Sequence, residues 1–177
     1  RQVAYWKHPS GLSDNSSPDG LDEYGCQVAM DNSGNALIVW YQDDGSRDQI
    51  FKSEYRDGEW IHPADLDDNI SPDGEDADAY YPQVAMDDNG NALIVWEQFN
   101  GSNYQVFKSE YRDGEWIHPA DLDDHISPDG QDAEEPHAAM DNNGNAVIVW
   151  DQDDGSNWRI FKSEYRNGAW TLSLIHI

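Results

Sequence analysis

A single cysteine, Cys26, stands in the whole chain, so no intrachain disulfide can hold the fold. Basic residues are scarce as well: ten Lys and Arg face 36 Asp and Glu, a formal net charge of −26. That balance excludes nucleic acid and anionic membrane surfaces as partners, because both would be repelled. It suits cations, neutral glycans, basic proteins or a salty medium. No run of 18 apolar residues exists, which excludes a helical membrane span and with it membrane insertion by that route. There is no Gly-x-Ser-x-Gly, no Cys and His arrangement of nucleophilic type and no Gly-rich phosphate loop. No window carries helical periodicity.

What the chain does have is aromatic residues, 12% of the total with eight Trp among them. That content argues for a packed core despite a charge that would otherwise suggest disorder. The aromatics recur in register. Gly-Asn-Ala-Leu-Ile-Val-Trp at 34–40 returns at 90–96, and at 144–150 with Leu changed to Val. Each copy follows Ala-Met-Asp and is followed two residues later by a Gln: Gln42, Gln98 and Gln152. Phe-Lys-Ser-Glu-Tyr-Arg follows at 51–56, 107–112 and 161–166. Trp6, Trp60, Trp116 and Trp170 are spaced by 54, 56 and 54 residues, the signature of a repeat architecture. Cys26 falls where the other copies have Pro82 and Pro136, so it reads as a substitution at a tolerant position and not as a reactive thiol.

Within one repeat the elements read as strands. Residues 28–30 lead into Asp-Asn-Ser-Gly-Asn at 31–35, a hairpin turn in which Gly34 takes a positive φ. That motif is not an EF-hand loop, because its Gly comes too early and no Glu closes it. Residues 36–42 are a β-branched and aromatic run. After a turn at 43–46, residues 49–56 alternate, with Phe51, Ser53 and Tyr55 on one face and Lys52, Glu54 and Arg56 on the other, the pattern of a half-buried strand. A turn at Asp57 and Gly58 leads to a short strand at Trp60, which Pro63 confines to an edge. Four antiparallel strands in about 55 residues describe one blade of an all-β propeller. A sandwich of repeated β modules is the second fold that fits.

This pattern resembles a family of bacterial propeller-type repeats of secreted and surface proteins. Its signature runs Val-Ala-Met-Asp, a two-residue turn, Gly-Asn-Ala, then Val-Trp-x-Gln, Asp-Gly and Tyr-Arg-x-Gly-x-Trp, and it covers nearly the whole chain. The resemblance implies an extracellular or cell-surface location and carries no assigned catalytic residues. The Ser-x-Asp-x-Gly-x-x-Trp box of sialidase-type propellers is matched by no copy.

Both ends read as cut. Residues 1–25 are expected to be the outer strand and crossover of a preceding blade, followed by blades at 26–81, 82–135 and 136–171. The last holds three strands and the start of a fourth. Residues 172–177 match no other copy and resemble a translated sequencing-adapter end, as in a gene fragment from environmental sequence. About three blades per chain suggest a fragment or a half-ring. Two copies could form a six-bladed ring in which the N-terminal outer strand completes the Trp170 blade.

Propeller connectivity puts the 31–35 and 57–58 turns on one face and the 43–48 loops and long crossovers on the other. The second face is where the copies differ. Any glycan or protein ligand is therefore expected there, at Asp43, Asp44, Asp48, Tyr80, Tyr81, Asn100, Tyr104, Asp153, Asp154 and Trp158. At the position of Asp48 the other copies place Tyr104 and Trp158, aromatics of the kind that stack on sugar rings beside carboxylates. The crossovers carry Asp65, Asp67 and Asp68 and, one repeat on, Asp121, Asp123 and Asp124. These are hard oxygen donors suited to Ca²⁺, with no cofactor otherwise required. Near-identical blades argue against an asymmetric active site, and the acidic residues unique to one copy (Glu97, Glu134, Glu135) are too common a feature to assign one. The expectation is a non-enzymatic, lectin-like module binding a ligand multivalently. A structural protein joining blades end to end, as a homodimer or a fibre, is the alternative, and a glycosidase-like enzyme comes third.

Overall fold

The computed structural model describes residues 7–173 and is all-β, with three four-stranded antiparallel sheets and no helix among those residues. The strand expected at Trp6 and residues 174–177 of the divergent tail lie outside them. The first sheet has β1 (Glu23–Met30), β2 (Ala36–Asp43), β3 (Asp48–Arg56) and β4 (Glu59–Ile61), in that order across the sheet. The second repeats it with β5 (Ala79–Met86), β6 (Ala92–Phe99), β7 (Tyr104–Arg112) and β8 (Glu115–Ile117). The third has β9 (Ala133–Met140), β10 (Ala146–Asp153), β11 (Trp158–Arg166) and β12 (Ala169–Ser173). β12 pairs with β11 from Arg166↔Ala169 to Lys162↔Ser173, so the outer place of this sheet is filled from within its own repeat. β1 packs beside β5 and β5 beside β9, which makes these three the inner strands, as in propeller blades.

The repeated stretch at 31–35 explains the first hairpin of each blade. Asp31 Oδ1 accepts the N–H groups of Ser33 and Asn35, and Asn35 Nδ2 donates to Asp31 Oδ2 at 2.6 Å. Gly34 sits at φ 90°, which only glycine adopts without strain. Asp87 with Asn91 and Asp141 with Asn145 repeat the arrangement.

Trp-x-Gln is a second repeated device. Trp96 Nε1 donates to Gln98 Oε1, and Gln98 Nε2 donates to the carbonyls of Pro72 and Ala77, which ties the crossover to the sheet. Both side chains are fully buried, so every polar atom of the pair must find such a partner. Trp40 with Gln42 and Trp150 with Gln152 do the same for their own crossovers.

Blades stack face to face. We call the face of a blade turned toward the preceding repeat its front and the other its back. Leu37, Val39 and Ile50 on the back of the first blade pack against Ile94, Trp96 and Phe107 of the second. Leu93, Val95 and Val106 on the back of the second pack against Ile148 and Trp150 of the third. The expectation of a half-buried third strand needs correction here. Glu54 is only 6% exposed although it lies on the charged side of β3, because the next blade covers that side too. Trp116 from the outer strand of the second blade donates Nε1 to Glu54, Lys52 lies 4.7 Å from the Trp116 ring centroid, and the Arg56 guanidinium sits 3.7 Å over the Tyr111 ring. Lys108, Glu110 and Arg112 repeat these contacts on Trp170 and Tyr165. The sheets therefore join through a charged and aromatic seam at the rim and an apolar layer within.

Candidate functional site

The face bearing the crossovers owes its geometry to a bulge near the start of each inner strand. Pairing of β1 with β2 slips between Tyr24 and Gln27, that of β5 with β6 between Tyr80 and Gln83, and that of β9 with β10 between Val149 and Asp151. The bulged residue is left-handed in each blade: Gly25 at φ 65°, Tyr81 at 52° and Glu135 at 53°. Bulges of this kind re-aim side chains, and a left-handed Tyr or Glu costs on the order of 1–2 kcal/mol. Strain held at one position over successive blades marks a place to look for function.

Two of the bulges face the residue just before the buried Gln of the preceding blade, Tyr81 beside Tyr41 and Glu135 beside Glu97; Asp151 holds the same repeat position in the third blade. Between the first and second blades this creates an aromatic cluster. Tyr41 lies 5.4 Å from Tyr80 and 6.1 Å from Tyr81, both edge to face, and 5.8 Å from Tyr24. Tyr24 and Tyr81 are more than half exposed. The bare Cα of Gly25 makes room, since a Cβ there would meet Tyr41 Cε1 at 2.6 Å.

Between the second and third blades the same positions are acidic. Glu97 Oε2 accepts the N–H of Glu135 at 2.8 Å and Glu97 is 6% exposed. Burial pushes its carboxyl up to about 7; the Glu135 N–H opposes the rise, and the charges of Glu134 and Glu135 add to it. Glu134 is also raised, by burial and by Asp132, Glu135 and Asp151. Tyr104, half-buried against Phe99 with ring centroids 5.6 Å apart, is raised by burial and by carboxylates that include Asp78 and Glu97. Glu97 is registered opposite Tyr80 across the sheet, so the acidic and aromatic halves are continuous. The arrangement offers exposed rings for stacking and a carboxyl that exchanges a proton near neutral pH.

Of the expected ligand residues, the structure brings Asp48, Tyr80, Tyr81 and Tyr104 to this rim. Burial raises Asp48, opposed by a hydrogen bond from the Tyr80 hydroxyl. The others do different work. Asp43 Oδ1 accepts Gly45 N–H, and Asp44 Oδ1 accepts those of Ser46 and Arg47. Asn100, Asp153 and Asp154 cap the equivalent turns. Trp158 opens β11 on the back of the third blade and is 53% exposed. Tyr24 and Tyr41 were not foreseen as site residues, and the acidic residues were not assigned to a site. The available signal was the change from Tyr41 to Glu97 to Asp151 at one repeat position.

The calcium candidates are turn formers in this structure. Asp65 Oδ1 accepts Asp67 N–H and Asp68 Oδ2 accepts Ala64 N–H, with Asp121, Asp123 and Asp124 repeating the pattern. Among the described residues no three His, Cys, Asp or Glu side chains come together as a metal site. On the opposite face, a cavity of about 700 Å³ lies among the 31–35-type turns, lined by Asn35, Arg56, Asn91 and Arg112.

No protein-family model matches the sequence, and no curated protein matches it. Solved structures do. A polysaccharide lyase of family PL25, an ulvan lyase, superposes with a TM-score of 0.56 at 12% identity over 83% of this chain and 42% of its own. The endo-arabinase of Bacteroides thetaiotaomicron gives 0.51 at 12% over 94% and 62%. The sialidase of Trypanosoma rangeli gives 0.54 at 13% over 85% and 30%. The chain thus spans less than half the length of the lyase. At these identities the likeness establishes the propeller-type fold. It also corrects one expectation: a non-enzymatic module is not what this fold points to, because the solved propellers that share it are mostly enzymes.

Proposed function

We propose that this chain is the substrate-contacting part of a secreted or surface carbohydrate-active propeller. The glycan lies along the crossover-side rim, and Glu97 is the group that transfers a proton. The observation that carries this reading is the buried Glu97 carboxyl, pushed up to about 7 and paired across the strands with Tyr80 of the tyrosine cluster. A carboxyl so poised is protonated often enough at neutral pH to donate to a glycosidic oxygen, and it returns as a base when ionised. Tyr24 and Tyr81 present ring faces on which a sugar stacks, and Tyr80 and Tyr104 present hydroxyls. A shallow rim suits a polymer more than a small molecule. The fold is shared with proteins whose names specify a polysaccharide lyase, an arabinase and a sialidase, which supports a polysaccharide as substrate class.

The test is depolymerisation of a panel of neutral and acidic polysaccharides, followed by new reducing ends and by the absorbance of unsaturated products. Glu97→Gln is expected to lower the rate by about 100-fold or more with binding retained. Full activity of that variant would remove Glu97 from the chemistry, and failure of the parent chain to bind or cleave any member of the panel would overturn the reading.

A further inference from the structure

We propose that the glycan taken by the crossover-side rim carries free amino groups, with an ammonium seated between the rim carboxylates and the tyrosine rings beside them. This rests on the reading of the rim as a glycan site and adds the chemical class of the substrate. The place is built inside the chain, where the first blade meets the second and the second meets the third. Its carboxylates are Asp48, Asp78, Glu97, Asp132, Glu134 and Glu135. Asp78 Oδ1 accepts Asp48 N–H at 3.0 Å, Asp132 Oδ1 accepts Tyr104 N–H at 2.9 Å, and Glu97 Oε2 accepts Glu135 N–H at 2.8 Å. The Tyr104 hydroxyl is raised by burial and then by the charges of Asp78, Glu97, Glu134 and Asp132, so these four share its neighbourhood.

Among the described residues, no Lys, Arg or His lies within ion-pair distance of any of the six. Arg47, next to Asp48 in sequence, donates to the Gly74 carbonyl and lies 3.9 Å from Asp44 instead. The contrast with the blade seam is direct. Glu54 and Glu110 are 6% exposed and each meets a Lys and an Arg; Glu97 is 6% exposed and meets neither. Its Oε1 accepts no hydrogen bond among the described residues. A buried carboxyl with a free oxygen among like charges is completed by a donor that is also a cation. No three of these carboxylates stand close enough to share a metal ion, so a larger, organic cation fits them better. The rings add to the attraction. Tyr80 is paired with Glu97 across the strands, and Tyr41 and Tyr81 stand within about 6 Å of it. Ring faces beside carboxylates draw an ammonium through their quadrupole. An acidic glycan would add its charge to the crowd. A lysine side chain would bring the ammonium without a sugar ring for the exposed face of Tyr81.

Calorimetric titration at mildly acidic pH, where the amines are charged, tests this. The probes are the soluble tetramer of glucosamine, its N-acetylated counterpart and a lysine tetrapeptide. The glucosamine tetramer should bind at least about tenfold more tightly than either of the others. Glu134→Gln should remove most of that preference and leave the N-acetylated tetramer unaffected. Glu115→Gln, an exposed carboxylate on β8 away from the rim, should leave the preference intact. Glu134→Gln takes one charge from a crowd of like charges; thermal melts establish that it folds, and Glu135→Gln replaces it if it does not. Equal affinity for the two sugar tetramers overturns the amine and leaves the glycan reading standing. A lysine tetrapeptide bound as tightly as the amino sugar overturns the proposal in favour of a basic protein. Equal losses in Glu134→Gln and Glu115→Gln also overturn it, since the general field of the acidic chain would then explain the attraction. Binding of neither sugar overturns both readings.

Discussion

Trp116 Nε1 donates to both carboxylate oxygens of Glu54, at 3.0 and 3.2 Å, across the boundary between the first two blades. Sixty-two residues separate them in the chain, yet the repeat places them together and places Trp170 on Glu110 in the same way. Glu54 also meets Lys52 at 3.1 Å and Arg56 at 2.9 Å. Its carboxyl is a buried anion with three donors, and removing it leaves two cations and an indole without their acceptor. Glu54→Ala is expected to cost about 3 kcal/mol. Glu164→Ala changes the same motif position, which no further blade covers among the described residues, and it should cost far less. Urea unfolding of the two variants measures the contrast, and equal losses would show that the seam does not stabilise the stack.

The same seam predicts an acid limb. Burial alone would raise Glu54 and Glu110, but their Lys, Arg and Trp partners outweigh it and hold both below the usual carboxylate value of 4.5. Groups depressed in the folded state bind protons more readily when unfolded, so their stabilisation is present above 4.5 and is lost as pH falls below it. Glu54→Gln should flatten the fall in melting temperature as pH drops below 4.5.

Glu97 acts with the opposite sign. Its folded value near 7 lies above the ordinary 4.5, so the folded state holds the proton longer than the unfolded one. Stability should decline as pH rises from 4.5 to 7, by up to about 3 kcal/mol, and level off above 7. Glu97→Gln should abolish that decline. Melting temperatures across the interval, parent against variant, show whether it does.

Gln98 joins Trp96 to two crossover carbonyls in a fully buried network. Gln98→Leu preserves bulk but strands the Trp96 N–H and the carbonyls of Pro72 and Ala77. A loss of about 2–4 kcal/mol is expected on chemical denaturation.

Tyr81 at φ 52° separates strain from use. Tyr81→Gly should raise stability by about 1 kcal/mol by relieving the left-handed conformation, and it should weaken glycan binding by removing an exposed ring. Gly25→Ala should do the reverse and destabilise, since its Cβ would strike Tyr41. Calorimetric melts alongside a binding titration read both effects.

Much of this architecture was legible in the sequence. Period-2 alternation, Asp-x-x-Gly-Asn turns and the recurrence of Trp follow from local chemistry, and local chemistry is what a repeat displays. The strands of each blade and the face on which copies diverge could be read from that alone. The loop aspartates were harder, because a carboxylate reads the same whether it awaits a ligand or caps its own turn; Asp43 and Asp65 cap turns. Whether Lys52, Glu54 and Arg56 face water or a neighbour depends on how blades stack, and two-residue periodicity is blind to that. The proton affinity of Glu97 is likewise a tertiary property. Its neighbours in sequence, Trp96 and Gln98, do not set it; burial against a second blade and the bulged backbone of Glu135 do. The sequence by itself determined the blade and its repetition, since hydrogen bonding and turn formation act over a few residues. Only the tertiary structure decided which of many carboxylates would lose their water, because desolvation arises where two blades meet.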